Sequence, residues 1–284
     1  MDAAIARRHE LRAGETAWPT VLLFVAALAA HAALAALALK GILPVWLCVL
    51  GCAACAYAQF TVLHDSVHRS LSKRAWLNEA LGAAAALTLF APYEAFRRNH
   101  LHHHAHTNDP ASDPDYWAAG ETWLSTAARC LTMLQFHYYS YLFKLGRRDA
   151  VWVRTLATLA AMGAALAAGA ALGWGRALLL YWLLPAQLAV AALGFLFDYW
   201  PHRPHLGRGR MKDTAAIAPR WLDPAFLAQN LHLVHHLWPT IPWYRYRAAF
   251  RVAEPSLREE GGLIWDFRTA LARLKPAPLG RAAS

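Results

Sequence analysis

A chain of 284 residues that is 57% apolar and carries thirteen tryptophans is too oily for an ordinary soluble domain of its length. Its formal charge of +10 invites a nucleic-acid reading. The apolar runs described below give that charge another cause, the basic bias of cytoplasmic loops and attraction to anionic lipid, so no nucleic-acid partner is expected.

In chain order, the opening MDAAIARRHELRAGETAW has no apolar core of its own, and no cleavable leader is expected there. Residues 18–39 and 42–61 are apolar runs separated only by Lys40 and Gly41. Each is close to the ~20 residues that cross a ~30 Å hydrocarbon core. Cys48, Cys52 and Cys55 fall inside the second run, and the CAAC spacing there reads as helix packing rather than redox chemistry. HDSVH follows, with His64 and His68 four apart on one helical face. Residues 81–93 are apolar but short, which suits a re-entrant or interfacial segment, or a buried helix.

NHLHHHAHTNDP, residues 99–110, packs five histidines into seven positions, and His100, His103 and His104 share one helical face. Residues 123–143 mix Trp, Tyr and Phe with Arg129, Gln135 and His137, the composition of a helix lying along lipid headgroups. Two further spans are expected at 151–172 and 177–199, divided by GWGR. FDYWPHRPH places Asp198 and His202 four apart where the last span ends, with Pro201 disturbing the helix between them. HLVHH then repeats the three-and-four spacing with His232, His235 and His236.

The predicted fold is all-α: a polytopic membrane protein of four transmembrane helices in two hairpins, with a cytoplasmic helical cap carrying the histidine boxes. Residues 1–284 are expected to form one integral-membrane domain. Lys40 and Arg176 alone sit at the hairpin tips, whereas Arg7, Arg8, Arg12, the basic middle and the basic tail lie on the other side. The positive-inside rule therefore puts both termini and every histidine box in the cytoplasm, with the chain in the inner (plasma) membrane.

HDSVH, HLHHHAHTNDPASDPDYW, FDYWPHRP and NLHLVHHLWPTIPWYRY together resemble the membrane fatty-acid desaturase and hydroxylase superfamily, from about Gln59 to Tyr246. More narrowly, HHAHTNDPASDPD, FDYWPHRP and HHLWPTIPWYRY resemble its beta-carotene 3-hydroxylase branch. The resemblance implies two iron ions held mainly by imidazoles, with molecular oxygen as co-substrate. Carried over residue by residue, it implies the ligands His64, His68, His100, His103, His104, His202, His232, His235 and His236. Asp198 stands where related desaturases have an asparagine near the metal, and is the candidate catalytic residue. Nine imidazoles exceed what one tetrahedral zinc takes, and zinc has no redox chemistry to offer a hydrocarbon.

His102 points away from the face of its neighbours and is expected to lie outside the ligand set, His106 stands between an outer hydrogen-bonding role and a peripheral one, and His205 has no box partner. His9, His31 and His137 are isolated, His31 being expected to be packed or hydrogen-bonded within its span. Asp65, Asp109, Asp113 and Asp115 are candidates to accept the second N–H of ligating imidazoles, Asp109 foremost. Gln187 and Pro185 line a substrate tunnel or mark a kink.

The expected activity is oxygen-dependent hydroxylation at C3 of the beta-ionone rings of beta-carotene, giving zeaxanthin. Membrane fatty-acyl desaturation on the same di-iron centre is the alternative. A metal transporter would need its histidines along a path inside the spans, and here they cluster beyond them. No iron–sulfur, dinucleotide or haem-attachment motif is present in the sequence, so electrons come from an external donor. The resemblance implies a ferredoxin-like protein, which an arginine-rich cytoplasmic face would attract.

The topology is open to direct test. Cysteine probes at Gly41 or Gly175 are expected to label from outside the cell, and probes at Ser112 or Arg258 to be shielded. Labelling of Ser112 from outside would reverse the orientation.

Overall fold

The computed structural model describes residues 11–276. Four of its helices are long and apolar enough to cross a bilayer: α1 (Trp18–Leu39), α2 (Val45–Val67), α7 (Ala150–Ala171) and α8 (Gly175–Tyr199). Between α2 and α7 lie α3 (Ala75–Thr88), α4 (Tyr93–His106), α5 (Trp123–Leu131) and α6 (Met133–Tyr139). After α8 come β1 (Ala215–Ile217), α9 (His232–Leu237), α10 (Tyr246–Glu259), β2 (Leu263–Trp265) and α11 (Phe267–Arg273). The strands pair in parallel, Ala216 opposite Ile264, so the described residues are mainly helical, with one small ribbon and an isolated bridge between Thr16 and Ser72.

Proline and glycine set the limits of the spans. Pro19 occupies the first turn of α1, where its missing N–H costs nothing. Gly41, at φ +68°, and Gly173, at φ +86°, make the two hairpin turns. Pro44 delays α2 to Val45, three residues later than expected, and the helix runs on past Thr61 to Val67. The first histidine box is therefore built into the end of a span, not the loop after it. α2 and α8 are the inner helices, 39% buried over their most apolar windows against 11% for α1 and α7. The outer pair presents most of its apolar surface to lipid.

α8 is not regular. Its backbone widens into π turns at Leu179–Leu183 and Gly194–Tyr199. Pro185 lacks the N–H that would bond the carbonyl four residues back, at Tyr181. His31 of α1 donates its Nε2–H to that carbonyl at 2.6 Å. The isolated intramembrane histidine thus satisfies a backbone acceptor that a proline has freed, as a polar group in hydrocarbon must.

The apolar segment at 81–93 contributes the end of α3, a helix of 14 residues packed on α2 rather than a span. The single interfacial helix expected over 123–143 is divided: α5 is capped by Thr122 and Ser125, breaks at Thr132, and α6 passes into a π turn over Ser140–Leu145. Beyond α8, α10 buries Tyr246, Ala249, Phe250, Ala253 and Leu257 on one face, against Leu233, Val234 and Leu237 of α9. That packing presses the last histidine box onto the ends of α2 and α4.

Gly82 allows α3 to lie close to the first box. A Cβ there would stand 2.8 Å from Ser66 Cβ and 2.5 Å from the Tyr93 ring, and Ser66 lies between His64 and His68. Gly82→Val is expected to lower the unfolding temperature in detergent, at a cost of about 1–3 kcal/mol for overpacking, and to reduce metal retention. Unchanged stability and metal content would show that α3 does not brace the box.

Candidate metal centre

Four elements deliver imidazoles to one place. His64 and His68 come from the end of α2, His100, His103 and His104 from α4, His202 from the turn after α8, and His232, His235 and His236 from α9. Their ring nitrogens converge in overlapping groups, with ligand atoms within 4.8 Å of one another: His64, His68, His100 and His235; His103, His202, His232 and His236; and His104 with His235 and His236. His104 Nε2 lies 3.2 Å from His100 Nε2 and 2.8 Å from His235 Nε2, which attaches it to the first group. All nine implied residues fall in these groups, four around each of two points, with His104 joined to the first through His100 and His235 and also close to His236 of the second.

The backbone around each box is held in an uncommon conformation. Arg69 follows the first box, Asn108 the second, His205 follows His202, and Leu227 and Ala228 precede the last, all at positive φ without being glycine. Asn108 shows how such a residue is retained. Its N–H donates to Asp113 Oδ2 at 2.8 Å, and its side-chain amide donates to the carbonyls of Gly207 and Asp213, both at 2.7 Å. Local strain of this kind persists only where surrounding contacts over-determine it.

The outer nitrogens fix the rings. His103 Nδ1–H donates to Asp113 Oδ1 at 2.8 Å, with Asp115 Oδ2 at 3.5 Å, and His137 Nε2–H donates to the other Asp115 oxygen at 2.8 Å. His202 Nδ1–H donates to the Asp213 carbonyl at 3.0 Å, and His235 Nδ1 lies 3.1 Å from the Tyr246 hydroxyl. An imidazole whose proton is held on Nδ1 turns Nε2 inward as a bare lone pair. His202 Nε2 is buried without a partner. The donor set therefore fits metal ions: nitrogen bases, oriented from behind and directed at common points.

Electrostatics agree with this arrangement. Burial, together with neighbouring imidazoles, pushes His68, His100, His104, His202, His232, His235 and His236 well below the usual histidine range. They are neutral at physiological pH, the form that binds a metal. Burial acts the same way on His103, but the charges of Asp113 and Asp115 outweigh it and push that ring up to about 10. The second group thus carries its own anionic support.

The carboxylates sort differently from the sequence reading. Asp109, the expected foremost partner, accepts from the Ala111 N–H and faces Arg208 at 3.5 Å, on the surface turn. Asp65 accepts from Thr20 Oγ1 at 2.8 Å and from the Trp243 N–H, joining α1 and α2 rather than holding an imidazole. Asp113 and Asp115 hold the ring, because the tight turn that follows Asn108 brings them back under α4. His137, read as isolated, belongs to this network, and Tyr246 was not foreseen at all. A tyrosine eleven residues beyond a box gives no signal in sequence.

The remaining histidines fall outside the converging groups. His102 stacks on His106 with ring centroids 4.0 Å apart, and His106 Nδ1–H donates to the His102 carbonyl, so both are peripheral. His205 is buried between Tyr116 and Tyr199, where burial pushes it to about 3. His9 lies outside the described residues.

A narrow apolar cavity reaches the centre between α2, α4, α6 and α8. Phe60 and Leu63 of α2, Phe96 of α4, Leu134 and Tyr138 of α6, and Phe197 of α8 line it, and at its inner end are His64, His100, His103 and His232. Asp198, in the second π turn of α8, faces the same cavity together with Asp115. Gln187 and Pro185 do not line it. Gln187 instead accepts from Gln135 Nε2 at 2.9 Å and donates to the Leu131 carbonyl, fastening α8 to α5 and α6.

Four candidate spans, three histidine boxes and an apolar cavity that reaches the converging imidazoles describe an integral membrane protein with a candidate metal centre. Residues 40–268 match the fatty acid desaturase family, and the chain belongs to that family. It is 27% identical to the sn-1 oleoyl-lipid 12-desaturase of Picosynechococcus, over 90% of this chain and 82% of that protein. It is 26% identical to the chloroplastic omega-6 fatty acid desaturase of Brassica napus, over 89% of this chain and 62% of the relative. It is also 27% identical to the beta-carotene 4-ketolase of Protosiphon botryoides, over 72% of this chain and 54% of the relative.

The carboxylate assignment is testable. Asp113→Ala is expected to weaken metal retention about 10–100-fold, the usual loss when the support of a ligating histidine is removed. Asp109→Ala is expected to leave it unchanged. The reverse ranking, measured by competition with a chelator, would restore Asp109 as the partner.

Proposed function

We propose that the protein is an oxygen-dependent di-iron hydroxylase that acts on the beta-ionone rings of a carotenoid at C3, converting beta-carotene to zeaxanthin. The observation that carries the di-iron reading is the convergence of nine imidazoles, five and four, at the inner end of an apolar cavity. His64, His68, His100, His104 and His235 would hold one iron, and His103, His202, His232 and His236 the other. When bound, the pair activates oxygen so that one atom enters a C–H bond and the other leaves as water, consuming two protons and two electrons from an external ferredoxin-like donor.

The chain's own groups supply position and dryness. The apolar walls bind hydrocarbon and exclude water. Asp113 and Asp115 keep His103 oriented and offset positive charge in the second group. Asp198, on the cavity wall, is placed to accept a hydrogen bond from a water or a ligating ring once the metals are bound. The histidine-bearing end would face the cytoplasm, where a groove lined by Arg69, Arg97, Arg98 and Arg154, with Glu79 and Glu94 among them, keeps an excess of positive charge for an acidic donor.

The carotenoid assignment is supported by HHAHTNDPASDPD, FDYWPHRP and HHLWPTIPWYRY and by the carotene ketolase among the relatives. The lipid desaturases among the relatives favour a second reading, acyl-lipid desaturation at the same centre. Expression in a host that makes beta-carotene separates the two: zeaxanthin is expected, and new acyl double bonds without hydroxylated carotenoid would replace the first reading by the second.

Asp198 provides a further test. Asp198→Asn keeps shape and removes charge, and is expected to retain iron and fold while losing turnover. Asp198→Ala is expected to lose iron as well. Unchanged turnover per iron in Asp198→Asn would remove the residue from the catalytic machinery.

A further inference from the structure

The cavity approaches the histidines through a collar of three phenylalanines. Phe60 lies between the other two, 5.7 Å from Phe96 in an edge contact and 5.4 Å from Phe197. Each ring also covers one imidazole: Phe60 lies 5.6 Å from His64, Phe96 stacks on His100 at 5.3 Å with planes 11° apart, and Phe197 lies 6.1 Å from His232. All three line the cavity. Among the cavity-lining histidines of the nest, His103 is the one with no phenylalanine ring contact among those described, and Asp198 and Asp115 line the cavity with it.

A substrate carbon held in this cavity therefore lies against the rings when it reaches an uncovered part of the nest. Aromatic faces grip alkyl chains and conjugated polyenes alike through area and π contact, and each has few rotatable bonds to lose. Small misplacements of a reacting bond carry large rate penalties. Resting on the reading of this cavity as the substrate site, we propose that Phe60, Phe96 and Phe197 are the specificity-determining residues: they set which carbon of the hydrophobic chain stops opposite His103 and Asp198. Their three contacts with imidazoles place the collar at a fixed height above the nest, whereas Leu63, Leu134 and Val190 supply only apolar wall.

The test uses the full-length protein in detergent with cis-parinaric acid, a fluorescent conjugated fatty acid, as the probe. Phe60→Leu, Phe96→Leu and Phe197→Leu, with the Phe→Met changes as unbranched apolar alternatives of similar size to leucine, are compared with Phe143→Leu on the exposed surface. Binding of the probe is measured with and without iron. The collar predicts about fivefold or more weaker binding for each collar variant, with iron content kept, and no change for Phe143→Leu. In the carotenoid-producing host it further predicts that the ratio of the main product to its positional isomers falls about tenfold, more than total turnover does. Probe binding within twofold of wild type in all the collar variants would overturn the proposal. If the wild type makes no oxidised carotenoid, the carotenoid reading fails, and probe binding still decides whether the collar holds the chain.

Discussion

Imidazole nitrogens brought within 2.8–3.4 Å of one another in a protein interior need a hydrogen-bonding proton or a metal ion between them. Some such pairs can share a proton. His202, however, has its N–H committed outward at Nδ1, and because burial keeps that ring neutral its Nε2 is a bare base. An unsatisfied buried polar atom costs about 1–3 kcal/mol, and His202 Nε2, buried without a partner and turned into the nest, is accounted for as a ligand. The surrounding structure maintains that convergence against its own repulsion. α2 extends beyond the expected end of its span to carry the first box, α10 presses the last box inward, and the positive-φ residues next to the boxes aim the chain at turns that regular backbone would not make.

The same arrangement links the membrane to the chemistry. α2 and α8 are at once the inner spans, the cavity walls and the carriers of His64, His68 and Asp198. On the proposed reading, a substrate dissolved in the bilayer would meet the histidine end of the cavity without crossing water. The π turn at Gly194–Tyr199 lies where Phe197 and Asp198 enter the cavity, and widened turns of this kind are found at functional sites. Farther from the centre, His31 and Gln187 stabilise irregular or crossing helices by meeting backbone carbonyls inside the apolar region.

Much of this was legible in the sequence because the signals are periodic or rare. Apolar runs of span length identified all four crossings, and histidines at three-and-four spacing identified the residues that meet. Boundaries were less legible. Pro44 moved the start of α2, and continuous helix carried it through a polar box that resembles a loop. The hydrogen-bonding partners were the least legible. Asp109, Asp113 and Asp115 are equivalent in a turn-forming string, and only the path of the chain after Asn108 decides that two reach His103 while the third faces Arg208. Tyr246 and His137 reach the centre through tertiary packing alone.

The central claim is that nine imidazoles hold two metal ions, five around one and four around the other. Anomalous scattering at the iron edge from crystals of the purified protein, with iron content determined on the same sample, tests it most directly. The account predicts two iron peaks of similar occupancy, one among His64, His68, His100, His104 and His235 and the other among His103, His202, His232 and His236. A single peak, or a metal bound instead between His103 and the Asp113 and Asp115 carboxylates, would contradict it.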